Sequence, residues 1–149
     1  MKIPENKQYV LFGGSFVLAN KLQAVADQRI AGLSSKQWFL LKTLYDMPKE
    51  PAPTITTLAG EADTSRQNVT KMLDVLCREG CVLLKDNPDD QRSRIVEITG
   101  LGRQMLVQMR EGSHGFFTEL FDGIGAEECE TAAEVLLKMV QNLDRMQEE

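Results

Sequence analysis

From Gln8 to about Ile30, apolar side chains recur at three- and four-residue steps: Phe12, Phe16, Ala19, Leu22, Ala26 and Ile30. That spacing predicts an amphipathic helix. Gly13-Gly14 weakens its first turns, since a glycine costs about 1 kcal/mol against alanine in a helix interior. Gly32 suits its end, where a left-handed backbone is easiest. Ser34 or Ser35 then caps a second helix with Trp38, Leu41, Leu44 and Tyr45 on its apolar face. Pro48, Pro51 and Pro53 define a stiff loop. Thr54 is the N-cap of a short helix carrying Ile55, Leu58, Ala59 and Ala62, which ends at Asp63-Thr64. Asp is one of the few non-glycine residues that accepts a left-handed turn. Ser65 caps the next helix, which runs to Glu79 with Val69, Met72, Leu73 and Leu76 on one stripe, and Gly80 closes it.

The period then changes. Cys81-Val82-Leu83-Leu84-Lys85 is short and apolar, Asp86-Asn87-Pro88-Asp89-Asp90 is a polar turn cluster, and Arg94-Ile95-Val96-Glu97-Ile98 is β-branched. Together these predict a hairpin. After Thr99-Gly100 a helix resumes through Leu106 and Met109 towards Leu120, with Gly112 to Gly115 as a place to bend. Asp122-Gly123-Ile124-Gly125 is a loop, and a last helix from about Ala126 to Met146 carries Cys129, Ala133, Leu136, Val140 and Leu143. No internal repeat or low-complexity tract interrupts this order. The prediction is a mainly α chain with a small β-hairpin. Two helices joined by a tight turn and followed at once by a hairpin make a winged helix–turn–helix, whose second helix is the one that enters a DNA major groove. At 100° per residue, Gln67, Lys71, Asp74 and Arg78 lie opposite the buried stripe, flanked by Asn68 and Thr70. Gln and Asn match adenine edges, and Lys matches guanine or phosphate.

Composition permits this reading without arguing for it. The 149 residues suit one domain, and 42% hydrophobic with 26% charged residues is the balance of a globular protein. No secretory leader and no apolar run near the ~20 residues of a membrane helix is visible, so a cytoplasmic protein without membrane contact is expected. The net charge of −5 is unevenly spread. Residues 1–110 hold 15 Lys and Arg against 12 Asp and Glu, a balance of +3, while residues 111–149 hold 2 against 10, a balance of −8. Across 54–94 there are six Lys and Arg against seven Asp and Glu, so the reading segment is itself slightly acidic. Three cysteines, one histidine (His114) and no CxxC pair exclude a disulfide framework and give no metal site. There is no phosphate-binding glycine loop or nucleophile–base set, so neither an enzyme nor a bound cofactor is expected.

Gln37-Trp38, Leu58-Ala59, Ser65-Arg66-Gln67-Asn68-Val69-Thr70-Lys71, Gly80, and Pro88-Asp89-Asp90-Gln91-Arg92 through Ile98-Thr99 stand in an order that resembles the MarR family of bacterial regulators. The resemblance spans nearly the whole chain. It implies a single domain over 1–149, with a DNA-binding lobe at 33–99 and dimerisation helices at 1–32 and 100–149. It implies a homodimer on double-stranded DNA with a pseudo-palindromic operator, acting as a repressor relieved by a small molecule. On that reading Ser65, Arg66, Gln67, Asn68, Thr70 and Lys71 face bases and phosphates. Arg92 enters the minor groove, Asp90 orients it, and Arg94 is a second wing contact. Asp63 and Thr64 replace the glycine and apolar residue expected at that turn.

The resemblance also suggests an aromatic or phenolic effector, with Phe16, Trp38, Met105 and Met109 as lining candidates; their alternative role is ordinary core or interface packing. Thiol-based redox sensing is a second alternative, but the sensing cysteine of such relatives lies in the first helix, where this chain has none. Cys77 and Cys81 read instead as small hydrophobes. A dimeric winged-helix module for protein interaction, without DNA binding, is the remaining rival.

Overall fold

Polar caps set where the helices of the computed structural model begin; it describes residues 6–148. The Asn6 side chain accepts from the Gln8 N–H at the start of α1 (Lys7–Arg29), which runs through Gly13-Gly14 unbroken. Ser34 and Gln37 exchange hydrogen bonds in a reciprocal cap at α2 (Ser35–Asp46). Thr54 and Thr57 do the same at α3 (Ile55–Glu61), and Ser65 accepts from the Asn68 N–H at α4 (Arg66–Arg78). Each cap satisfies donors that the helix geometry leaves unpaired. Strands β1 (Val82–Asp86) and β2 (Arg94–Ile98) pair antiparallel, from Val82 opposite Ile98 to Asp86 opposite Arg94. Thr99 caps α5 (Gly100–Gly112), and α6 (His114–Leu120) and α7 (Ala126–Glu148) follow. The fold is mainly helical with a β-hairpin wing, as the sequence pattern predicts.

Contacts divide the chain into one unit ending at Phe116 and another beginning at Phe117. The first holds α1 to α5 and the hairpin. Its core joins Leu40, Leu41 and Leu44 of α2 to Leu58, Val69, Leu73, Leu76, Val82, Val96 and Leu106. Helix α5 belongs to this unit because it packs on α2. Helix α2 is therefore covered on more than one side, so its buried face is wider than a single stripe. Leu40 is fully buried although the sequence stripe omits it, whereas Tyr45, placed on that stripe, is 52% exposed.

Two other boundaries differ from the sequence expectation for local reasons. Cys81 stays outside β1 because its N–H is held by the Leu76 carbonyl at the end of α4, while the Gly80 N–H binds Cys77 O. This is a Schellman closure, with Gly80 left-handed at φ 73°. The single helix expected to reach Leu120 is two helices: buried Ser113 ends α5, its N–H on Met109 O and its hydroxyl on Arg110 O.

The dimerisation segments expected at 1–32 and 100–149 include residues 1–5 and 149, which lie outside the described residues. Leu22 and Ala26 of α1 and Ile30 just after it are half-buried, but Tyr9, Phe12 and Phe16 are exposed, with the Phe12 and Phe16 rings edge-to-face at 5.3 Å. In the second unit, Leu136, Leu137, Val140, Leu143 and Met146 of α7 are exposed. No helix among the described residues is long and apolar enough to cross a membrane.

Two expectations follow from the joints of the first unit. A Cβ on Gly102 would lie 2.2 Å from the Cys81 carbonyl oxygen and 2.9 Å from Ile98 Cγ1, so Gly102→Ala must push α5 away. It should destabilise by about 1–3 kcal/mol in thermal unfolding. Gly100→Ala, with open space around it, should be neutral or stabilising; equal stability for both variants would contradict the packing. The Asp27 carboxylate accepts from both the N–H (2.6 Å) and the hydroxyl (2.7 Å) of Ser35, joining the end of α1 to the start of α2. Those bonds, chiefly the backbone one, hold its pKa below the ordinary carboxylate value. A lowered folded pKa adds stability above the unfolded value of about 3.9, and the gain fades as pH falls through the folded value. The stability gap between wild type and Asp27→Ala should therefore be widest near neutral pH and narrow below about pH 4.

Candidate nucleic-acid interface

The turn between α3 and α4 is built from backbone closure. The Asp63 N–H binds Gly60 O, the Thr64 N–H binds Ala59 O, and Asp63 takes φ 47° in the left-handed region. Asp63 thus does what a glycine would do there, at modest strain. Val69, Leu73 and Leu76 anchor α4 in the core. Its other faces carry Arg66, Gln67, Asn68, Thr70, Lys71, Asp74 and Arg78, all exposed, as is Ser65 at the cap.

The sequence-selected side chains fall into two groups. Ser65 is engaged as the cap, Thr70 donates to the Arg66 carbonyl, and the Asn68 amide donates to the Thr64 hydroxyl. These three shape the start of α4. Arg66, Gln67 and Lys71 have no side-chain partner among the described residues and project two cations and an amide into solvent. The free backbone N–H groups in the first turn add a site suited to phosphate.

The wing is stiffened by a set of short-range bonds. The Asn87 amide donates to the Ser93 hydroxyl (2.7 Å) and its oxygen accepts from the Asp89 N–H (3.0 Å). The Asp90 carboxylate accepts from the Arg92 backbone N–H at 2.9 Å. Asp90 therefore acts on Arg92 through the main chain, and the Arg92 side chain is exposed without a partner among the described residues. Arg94 folds back on β1, donating to Leu84 O at 3.2 Å and lying 3.8 Å from the Asp86 carboxylate. Lys85 and Glu97 pair across the strands at 2.6 Å.

Sequence reasoning missed the supporting roles of Thr64, Asn87 and Ser93. The Asn-Pro-Asp run offered a signal for Asn87, since Asn commonly bonds its own backbone two residues on. Nothing marked Thr64. The four effector candidates differ in burial. Phe16 is exposed on α1, whereas Met109 is buried and Trp38 and Met105 pack at the core margin. Met105 and Met109 both lie against Gly32, whose φ of 115° and missing Cβ make room for them. Among the described residues no group of three or more His, Cys, Asp or Glu could hold a metal ion.

Cys81 is buried and Cys77 half-buried, and burial is the main cause that pushes both thiols up from their ordinary range. Asp74 adds to this at Cys77 and Glu79 at Cys81. Both thiols should stay protonated near neutral pH and alkylate far more slowly in the folded than in the unfolded protein. Fast modification of Cys77 at pH 7 would contradict this and revive the thiol-sensing reading.

Residues 33–93, the segment from the end of the α1–α2 link through the wing tip, match the MarR family model. The chain is 26% identical over 135 residues to the HTH-type transcriptional repressor YetL of Bacillus subtilis, covering 89% of this chain and 80% of that protein. It is 25% identical over 139 residues to the transcriptional activatory protein BadR of Rhodopseudomonas palustris, covering 91% and 79%. Among solved structures, Sco3205, a MarR family transcriptional regulator from Streptomyces coelicolor in complex with DNA, superposes with a TM-score of 0.78. That match is 22% identical and covers 96% of this chain and 92% of that one. Residues 33–93, with the helix–turn–helix and the wing tip, thus match the MarR family, and the chain shares the fold of a MarR family transcriptional regulator.

Proposed function

We propose that this protein is a homodimeric, sequence-specific regulator that reads an operator with α4 and braces itself in the minor groove with Arg92. The observation that carries this reading is the unpartnered set Arg66, Gln67 and Lys71 on the first turns of a helix whose opposite face is locked in the core. Gln67 supplies a free amide for an adenine edge, Asn68 beside it is held by Thr64 and offers its amide oxygen, and Arg66 and Lys71 supply cations for guanine or phosphate. Ser65 and Thr70 lie at the same surface. Asp90 holds the wing turn in shape, and Arg94 stays with its strand as a weaker contact. The reading places the protein in the cytoplasm.

A second copy of the chain covers the exposed apolar residues of α1 and α7 in this account. Phe12, Phe16, Leu136, Val140 and Leu143 are all about half exposed or more in the single chain, which is costly in water. A two-fold dimer then presents two α4 helices to a pseudo-palindromic site. YetL is a repressor and BadR an activatory protein, so relatives of this fold act with either sign. Repression needs nothing beyond occupancy of a promoter, and this protein acts in that sense. An aromatic or phenolic effector near Trp38, Met105 and Met109 would relieve it by disturbing the α2–α5 packing.

Binding to the DNA upstream of its own gene tests the reading. Gln67→Ala and Arg92→Ala should each weaken binding by about 1–3 kcal/mol, with thermal stability unchanged. The salt slope should be modest, because the segment 54–94 is near neutral in charge. Phe12→Asp with Phe16→Asp should shift the protein from dimer to monomer and abolish the shift of DNA. A dimer that fails to bind any upstream DNA at low salt would favour the protein-interaction module instead.

A further inference from the structure

The exposed side chains on the first turns of α4 differ in what they have left to offer. The Thr70 hydroxyl donates to the Arg66 carbonyl at 2.8 Å, one turn back along the same helix. That bond spends the hydroxyl's only proton. It also fixes χ1, which in a helical threonine is set by the reach of Oγ1 to such a carbonyl. The methyl is kept out of the one rotamer position that points into the preceding turn, where carbon clashes with the backbone. The Thr70 methyl therefore faces away from the helix axis at an exposed position. Gln67 stands one turn before it at i, i+3 spacing, with an amide that has no partner among the described residues. Side chains so spaced are neighbours, about 5–6 Å apart at Cβ.

We propose that Thr70 selects a thymine through its 5-methyl group, next to the base bound by Gln67. This rests on the reading of α4 as the major-groove helix and names one base that the helix chooses. On its major-groove edge thymine differs from cytosine in that methyl and in carrying an O4 acceptor where cytosine carries an amino donor. A hydroxyl whose proton is already spent cannot donate to O4, so Thr70 recognises thymine through the methyl. Successive bases on a strand lie about 3.4 Å apart, so a neighbour 5–6 Å along the helix places this thymine within about two base pairs of the Gln67 contact. An apolar contact of this kind owes nothing to counterion release, which suits a segment, 54–94, that is near neutral in charge.

Deoxyuridine in place of thymidine removes the methyl and leaves every hydrogen-bonding group of the base unchanged. The thymines of the operator recovered from the protein's upstream DNA are replaced by deoxyuridine one at a time, and binding of the full-length protein is measured. One replacement in each half-site, close to the Gln67-dependent base pair, should weaken binding about threefold to fourfold, and the ratio should hold as salt rises. Thr70→Ser keeps the hydroxyl and drops the methyl, so it should bind the thymine and deoxyuridine operators equally. Thr70→Val keeps the methyl and drops the hydroxyl, so it should retain the preference. The position is exposed, so both variants should unfold near the wild-type temperature. Indifference of the wild type to every deoxyuridine near the Gln67-dependent base pair, or no thymine there, would overturn the proposal while leaving sequence-specific binding by α4 intact. So would a preference that survives in Thr70→Ser or is lost in Thr70→Val. Upstream DNA bound no better than scrambled DNA would overturn the reading of α4 and the proposal with it.

Discussion

The close approach of Gly102 to the Cys81 carbonyl governs how α4, the hairpin and α5 fit together. A Cβ at Gly102 would sit 2.2 Å from that oxygen, so helix and strand root meet at a distance only glycine allows. The same few residues carry three other bonds. The Cys81 N–H closes α4 on Leu76, the Thr99 N–H reaches Cys81 O, and the Thr99 hydroxyl donates to Gly80 O at 2.6 Å. The end of α4, both strand ends and the start of α5 thus converge within Gly80–Cys81 and Thr99–Gly102. Movement of any one element changes the other three.

On the proposed reading, that joint lets a near-neutral surface serve for recognition. The segment 54–94 offers no broad field, so its contribution must come from a few groups held in place. The structure separates the polar residues accordingly. Ser65, Thr70, Asn68, Asp90 and Arg94 spend their bonds on the protein, while Arg66, Gln67, Lys71 and Arg92 remain unspent. The first group fixes the direction of the second. Pre-set geometry lowers the ordering cost of binding and makes the arrangement depend on backbone bonds more than on charge.

Much of this was legible in the chain itself. Ser65, Thr54 and Gly80 mark helix ends with standard chemistry, and the step from a helical to a two-residue period at Cys81 marks the hairpin. Asp63 was readable as a left-handed residue, and its φ of 47° agrees. What escaped was set by tertiary contact. The burial of Leu40 and exposure of Tyr45 follow from α2 being covered on several sides, which no single stripe encodes. Asp90 was expected to orient Arg92, and its carboxylate binds the Arg92 backbone N–H, a local choice of donor that spacing alone does not fix.

The central claim is that base identity is read from the first turns of α4. A scan of single base-pair changes across the operator recovered from its upstream DNA, run for wild type and Gln67→Ala in parallel, tests it most directly. Wild type should show a penalty at one symmetric position in each half-site, about one helical turn apart, and that penalty should vanish in the variant while all others remain. An unchanged pattern of penalties in Gln67→Ala would contradict the account.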